Sequence, residues 1–141
     1  MRCEMFTLRE IPVIVCRAHT IPQGIKPAFA TIKSRLNHQE KRQFFGLIYQ
    51  IEEEPEYYAA VQVHNRKDSL RLELPKMVIP GGLYVRSLLP VGPVTPSRMM
   101  KAFRTMEARF PFDTWRPKIE FYRDGRRPHL YLPIRQDTTA E

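Results

Sequence analysis

One helical pattern occurs in each half of this sequence, and each copy is followed by two segments rich in strand-forming residues. Apolar side chains recur at positions i, i+4, i+7 and i+11, the spacing that places them on one face of an α-helix. The second copy begins after Thr95-Pro96, where a hydroxyl N-cap precedes a proline at the first helical position. The two apolar stripes are Ile25, Phe29, Ile32 and Leu36, and Met99, Phe103, Met106 and Phe110.

Strand patterns flank both predicted helices. The first strand of each half is interrupted, by Pro12 in the first half and by Pro80-Gly81-Gly82 in the second, and such residues mark a bend, a bulge or an edge. A charged turn at residues 52–56 and a turn around Asp124-Gly125 separate the later strands. The predicted strands cover residues 6–19, 44–51 and 57–64, and then 70–89, 118–123 and 129–134.

The two halves align with one another, which indicates an internal duplication. The aligned positions are Ile11-Pro12 with Ile79-Pro80, Arg17 with Arg86, Leu47 with Glu120 and Tyr49 with Tyr122. We therefore predict one α+β domain over residues 1–141, with pseudo-repeats at about 6–65 and 70–135. Two βαββ units side by side would form one antiparallel sheet with both helices on one face. The cleft between the halves is then the natural place for a small ligand.

Composition argues against several classes of protein. The 141 residues carry a net charge of +8, from 23 Lys+Arg against 15 Asp+Glu, and such a charge can attract nucleic acid. The basic residues are scattered and accompany no recognised nucleic-acid motif, so we expect no sequence-specific nucleic-acid binding. The apolar runs are too short to span a bilayer, and the N-terminus lacks a signal-peptide pattern. These features predict a cytoplasmic protein with no membrane partner and two reduced cysteines.

Motifs for metal, phosphate or nucleophilic chemistry are missing from the sequence. The four histidines and two cysteines lack metal-ligand spacing, and there is no nucleophile elbow or phosphate-binding glycine loop. We therefore predict no metal and no cofactor, and the sequence leaves catalysis open. The one enzymatic scheme that it allows uses Glu120 as a general base on water, aided by a nearby tyrosine.

Glu120 is the most informative candidate for a functional residue. Alternation along residues 118–123 places Glu120 and Tyr122 on the same face of a strand. If that face is turned to the cleft, a carboxylate lies among aromatic rings, an arrangement that suits a cation. The alternative is that Glu120 points to water or pairs with an arginine such as Arg86.

Further candidate ligand-binding residues are aromatic. Tyr49, Tyr84 and Tyr131 fall within or at the ends of predicted strands, where their rings could line the cleft or be ordinary half-buried sheet residues. Phe103, with the methionines of its stripe, could form a pocket wall, although such a stripe is typical of plain core. Trp115 is either a lid over the cleft or an anchor for its loop.

The ordered set of motifs resembles the GyrI-like domain, the effector-binding domain of AraC-type and multidrug-sensing transcription regulators, which also occurs as a standalone protein. The matching segments are residues 45–49 (FGLIY), 78–84 (VIPGGLY), 117–122 (PKIEFY) and 130–134 (LYLPI), with Gly92 after the second. The resemblance implies a duplicated βαββ fold and a cleft for hydrophobic, often cationic compounds, with a glutamate in the place of Glu120 facing the ligand. Many members have an acidic residue where Gln50 follows Tyr49 here, and the DNA-binding domain of the regulators is missing.

The resemblance therefore implies a standalone sensor or sequestering module that binds a small hydrophobic or cationic organic molecule. Some members of the family hydrolyse reactive small molecules, and others restrain DNA gyrase. There are two alternatives: a small hydrolase that uses Glu120 as its base, and a protein inhibitor of a DNA enzyme such as gyrase.

Overall fold

The computed structural model of the chain describes residues 1–37, 41–51, 53–123 and 126–136. Within these residues the chain forms one eight-stranded sheet and three helices. The turn predicted at residues 124–125 lies outside the described residues. In chain order the elements are β1 (Glu4–Leu8), β2 (Ile11–Ala18), α1 (Ile25–Arg35), β3 (Phe44–Ile51), β4 (Glu54–Gln62), α2 (Asp68–Leu72), β5 (Lys76–Ile79), β6 (Gly82–Leu88), α3 (Pro96–Glu107), β7 (Lys118–Tyr122) and β8 (His129–Pro133).

The sheet is antiparallel throughout and is curled into a half-barrel, with the strand order β1-β6-β8-β7-β3-β4-β2-β5. Helices α1 and α3 pack on the same face, each over the strands of its own half. Strands β3 and β7 pair at the centre, where the two halves meet. The predicted α+β fold, with one antiparallel sheet and both helices on one face, is confirmed.

A row of directly paired residues shows the relation between the halves. The row crosses strands β6, β8, β7, β3, β4 and β2. It reads the same from both ends: an arginine, then a tyrosine, then an aliphatic residue. Its centre is the Leu47–Ile119 pair, so a pseudo-two-fold axis passes between these two residues. In order the row is Arg86, Tyr131, Ile119, Leu47, Tyr58 and Arg17.

This row corrects part of the alignment of the two halves. Arg17 and Arg86 are equivalent, as aligned, but the equivalent of Leu47 is Ile119 rather than Glu120. Glu120 pairs directly with Gly46, so it lies on the face opposite to that of Leu47. The alignment was wrong by one residue in this strand, and a shift of one residue transfers a side chain to the other face of a sheet.

In each half, two shorter strands replace the long first strand that was predicted. One of them pairs with its own half and the other pairs with the opposite half. In place of a single strand over residues 6–19, β1 pairs with β6 of the second half, while β2 pairs with β4 of its own half. In the second half, β5 pairs with β2 of the first half, while β6 pairs with β8 of its own half. Residues 70–72, predicted as strand, belong to the short helix α2, and β4 begins at Glu54, inside the predicted charged turn, of which residue 52 lies outside the described residues.

Both predicted helical stripes pack into the core. Ile32 and Met106, at the centres of the stripes, are fully buried. Leu36 and Phe110 lie just beyond the helix ends and still pack against the same clusters. Full burial of such a side chain contributes about 1.5–3 kcal/mol. Thr95 caps α3 as predicted, because its hydroxyl accepts a hydrogen bond from the Arg98 amide.

A buried ion pair fixes the segment before β3 to the turn before α2. The Oδ2 atom of the fully buried Asp68 accepts hydrogen bonds from Arg42 Nη1 at 2.8 Å and from the backbone amides of His64 and Asn65 at 2.7 and 3.1 Å. Burial by itself would raise the pKa of Asp68, but these hydrogen bonds outweigh it and hold that pKa below its ordinary value.

We expect Asp68→Asn to lower the free energy of unfolding by about 2–3 kcal/mol at neutral pH, since a hydrogen bond to a charged group contributes about 1.5–3 kcal/mol. Because the pKa of Asp68 is lower in the folded state, this stabilisation is complete above its ordinary pKa of about 4 and is lost as the pH falls. Urea unfolding followed by circular dichroism, at neutral pH and near pH ~3, measures both effects. The exposed Glu10→Gln serves as control. Equal costs for the two variants would contradict the expectation.

Candidate functional site

A cleft of about 950 Å³ opens between α1 and α3 on the helix-bearing face of the sheet. Its walls come from α1 and the loop before it, and from the start of α3, while β3 and β7 contribute the base. Since β3 and β7 are the strands at which the halves meet, the cleft lies on the seam, as predicted. Its lining residues are Pro22, Gln23, Ile25, Lys26, Phe29, Ala30, Lys33, Arg42, Gln43, Phe44, Val94, Pro96, Met99, Phe121, Tyr122 and Arg123.

Aromatic rings dominate the part of the cleft beside α1. The ring centroid of Phe29 is 5.5 Å from that of Tyr122 and 6.4 Å from that of Phe44, and all three residues line the cleft. Phe29 also meets the buried Tyr57 edge-on at 6.3 Å. These contacts leave ring faces and edges as the surface that a ligand would touch.

Glu120 lies directly beneath this surface and is only 4% exposed. Its Oε1 atom accepts a hydrogen bond from the Tyr57 hydroxyl at 2.5 Å and another from the Tyr122 hydroxyl at 2.7 Å. In the described part of the chain no lysine or arginine pairs with it, and Arg86 forms an ion pair with Glu4 instead. The carboxylate is therefore buried with two neutral donors and without a positive partner.

The environment of Glu120 favours protonated side chains. Burial raises the pKa of Glu120 above its ordinary value, although the hydrogen bonds from Tyr57 and Tyr122 act in the opposite direction. Burial likewise raises the pKa values of Tyr57 and Tyr122, and the nearby Glu120 adds to the rise. Both tyrosines therefore keep their protons and remain hydrogen-bond donors.

Gly46 provides the space for this cluster. It lies on β3, between Tyr57 on β4 and Glu120 on β7, and it pairs directly with Glu120. A Cβ atom at Gly46 would overlap the Tyr57 hydroxyl and the Glu120 Oε1 atom. A glycine inside a strand often marks such a close approach, so Gly46 was the signal in the sequence that could have revealed the site. Nothing in the sequence distinguished Tyr57 as a member.

Three of the candidate tyrosines lie on the opposite face of the sheet, away from Glu120. Tyr84 and Tyr131 belong to the core cluster on the face away from the helices, and Tyr49 packs against it. The Tyr84 hydroxyl donates to the Pro80 carbonyl at 2.6 Å, and burial raises the pKa of Tyr84 to about 12. Of the four candidate tyrosines, the structure therefore places Tyr122 in the cleft lining beside Glu120, and the other three on the opposite face.

Phe103 and Trp115 also lie apart from the cleft lining. Phe103 is 2% exposed in the core beneath α3, whereas Met99 of the same stripe does reach the cleft wall. The Trp115 side chain is 91% exposed, so it neither covers the cleft nor anchors its loop. Its loop is held by the next residue, Arg116, which bonds to Asp113 at 2.7 Å and stacks over the Tyr84 ring.

Comparison with solved structures found the same fold in proteins of low sequence identity. The chain is similar to SAV2435 bound to tetraphenylphosphonium, with a TM-score of 0.64, 11% identity, and coverage of 96% of this chain and 94% of that chain. It is also similar to the EcmrR C-terminal domain, with a TM-score of 0.62, 16% identity, and coverage of 96% and 98%. A hydrolase from Listeria innocua gives a TM-score of 0.60 with 12% identity and coverage of 95% and 92%.

These similarities concern the fold, and they are consistent with the GyrI-like fold that the sequence motifs resemble. No protein-family profile matches the sequence, and neither does any curated protein. In the described residues, no helix has both the length and the apolar character required to cross a membrane. The same residues contain no group of three or more His, Cys, Asp or Glu side chains placed to hold a metal ion.

We expect Gly46→Ala to lower the free energy of unfolding by about 1–3 kcal/mol, the usual cost of an added group in a packed interior. Adding Tyr57→Phe should recover part of this loss, because it removes the hydroxyl oxygen, one of the three atoms that the new methyl group would meet. A double-mutant cycle measured by urea unfolding gives the coupling. Tyr58→Phe is the matched control, since Tyr58 packs on the opposite face. Strictly additive effects of Gly46→Ala and Tyr57→Phe would contradict the proposed contact.

Proposed function

We propose that the chain is a GyrI-like domain that binds a small, largely apolar organic molecule in the cleft between α1 and α3, and that Glu120 attracts a positive charge on this molecule. One observation carries the proposal. A carboxylate without a positive partner lies beneath a lining residue, Tyr122, whose hydroxyl is 2.7 Å from it. An unpaired buried charge is costly, and a cationic ligand would supply the missing partner.

The size and chemistry of the cleft support this proposal. A volume of about 950 Å³ is in the range of small-molecule sites, which are mostly apolar with a few placed polar groups. The rings of Phe29, Phe44 and Tyr122 offer faces for a cation, an interaction that strengthens when the site excludes water. The similar fold of SAV2435, which was solved with the organic cation tetraphenylphosphonium, gives the proposal a chemical precedent.

The hydrolytic alternative is not favoured. Burial raises the pKa of Glu120, but this residue is only 4% exposed and its Oε1 atom already accepts hydrogen bonds from both tyrosine hydroxyls, which limits its access to a water molecule. Among the described residues that line the cleft there is no serine, cysteine, histidine, aspartate or glutamate to share the chemistry. Sensing or sequestration of the bound molecule is the use of the cleft that we propose.

Glu120→Gln separates recognition from structure. The amide keeps an oxygen that can accept from both tyrosines, but it removes the negative charge. We expect the affinity for tetraphenylphosphonium to fall about ten- to a hundredfold, which corresponds to roughly 1.5–3 kcal/mol. The neutral triphenylphosphine oxide should be affected much less. Isothermal titration calorimetry measures both ligands, and the exposed Glu73→Gln is the matched control.

The same substitution should leave stability unchanged or slightly higher at neutral pH. Because the pKa of Glu120 is raised in the folded state, the folded protein binds its proton more tightly, and ionisation costs stability as the pH rises above the ordinary value of about 4. The stability difference between the variant and the native protein should therefore shrink in acid. Urea unfolding across this range measures it. A clear loss of stability with the cation affinity intact would contradict the role of Glu120.

A further inference from the structure

The charges around the cleft are opposite in sign to the charge beneath it. Four charged side chains are among the described residues that line the cleft, and all of them are basic: Lys26, Lys33, Arg42 and Arg123. The negative Glu120 lies below the lining, where the halves meet. The cleft therefore has a positive rim and an acidic base.

Three of the four basic groups have no acidic partner among the described residues, and two of these three, Lys26 and Lys33, belong to α1. Arg42 is committed to Asp68 at 2.8 Å, and Arg123 lies beside His129 at 3.2 Å. Lys26 and Lys33 are exposed on α1. Among the described residues neither lysine has an acid within ion-pair distance, and the Lys33 ammonium stands 5.3 Å from the centroid of the Phe44 ring in the cleft.

Helical spacing places Lys26 and Lys33 on either side of Phe29, whose ring lines the cleft. Lys26, Phe29 and Lys33 occupy positions i, i+3 and i+7 of α1, which share one face of a helix. A ligand body packed against Phe29 therefore has an ammonium group near each end. A simple cation is opposed by these charges on entry, whereas a ligand that also carries an anion is attracted by them.

We propose that the preferred ligand is a zwitterionic amphiphile, with a cationic apolar body over Tyr122 and Glu120 and an anionic arm, such as a carboxylate, that reaches Lys26 and Lys33. This inference rests on the proposed function, because it assumes that the cationic end occupies the cleft. It adds a second recognition element, which fixes the direction of the ligand and distinguishes it from simple lipophilic cations.

Three related compounds test the inference on the native protein. Pentyltriphenylphosphonium has the cation alone, carboxybutyl-triphenylphosphonium adds the carboxylate, and the methyl ester of the latter keeps the arm but removes its charge. In calorimetry at low salt, the carboxylate should bind about three- to tenfold more tightly than the ester, the range expected for one or two exposed ion pairs. This advantage should shrink as salt is added, because exposed charges are screened.

Substitution of the lysines tests whether they cause the tighter binding of the carboxylate compound. Lys26→Gln with Lys33→Gln should abolish the preference for the carboxylate, whereas Lys26→Arg with Lys33→Arg should keep it. Lys101→Gln, an exposed position on α3 outside the cleft lining, is the matched control and should also keep it. Circular dichroism verifies that each variant is folded.

The possible outcomes separate the two proposals. Equal affinities for the carboxylate and its ester would overturn the inference and leave the proposed function standing, provided that the phosphonium compounds bind. A preference that survives the double glutamine variant would overturn the assignment to Lys26 and Lys33. If none of the three compounds binds the native protein, both the inference and the cationic form of the proposed function fail.

Discussion

The hydrogen bonds from Tyr57 and Tyr122 to Glu120 are the interaction on which the cleft depends. Tyr57 belongs to the first half, and Glu120 and Tyr122 belong to the second, so the bond from Tyr57 crosses the seam. Either half alone would leave a buried hydroxyl or carboxylate without this partner, and an unsatisfied buried polar group is costly. The bond therefore couples the halves at the base of the cleft. It is possible only because Gly46 lies between its two ends.

The polar cluster breaks the symmetry that the duplication imposes on the rest of the sheet. Since Leu47 is equivalent to Ile119, the position equivalent to Glu120 in the first half is Ile48. The position equivalent to Tyr57 is Leu130, because Leu130 pairs with Glu120 as Tyr57 pairs with Ile48. Each half thus has one polar and one apolar residue at these two positions, but in opposite places: Ile48 with Tyr57 in the first half, and Glu120 with Leu130 in the second. A single carboxylate away from the pseudo-two-fold axis makes the two sides of the cleft different, so that a ligand can bind in one orientation. Two identical halves could not provide this difference.

Local patterns in the sequence were sufficient for the two long helices, α1 and α3, and for the alternation along β7, but not for the short helix α2. The stripes and the Thr95 cap depend on neighbours within a few residues, and so does the placement of Glu120 and Tyr122 on one face. Tyr57 could not be found in this way, because its role depends on how β4 registers against β3 and β7. The same limit explains Tyr49, whose face depends on register and was misassigned by one residue in the alignment.

The buried carboxylate also connects ligand binding to protonation. Burial disfavours the ionised form of Glu120, and the tyrosine hydroxyls offset that cost only in part, so its pKa remains raised. A cation that occupies the cleft would stabilise the ionised form and lower the pKa of Glu120. By linkage, protonation of Glu120 must weaken the binding of a cation by the same factor. The ionised form of Glu120 therefore destabilises the empty protein, and either a proton or a positively charged ligand compensates this charge, so that ligand binding, protonation and stability are linked at one residue.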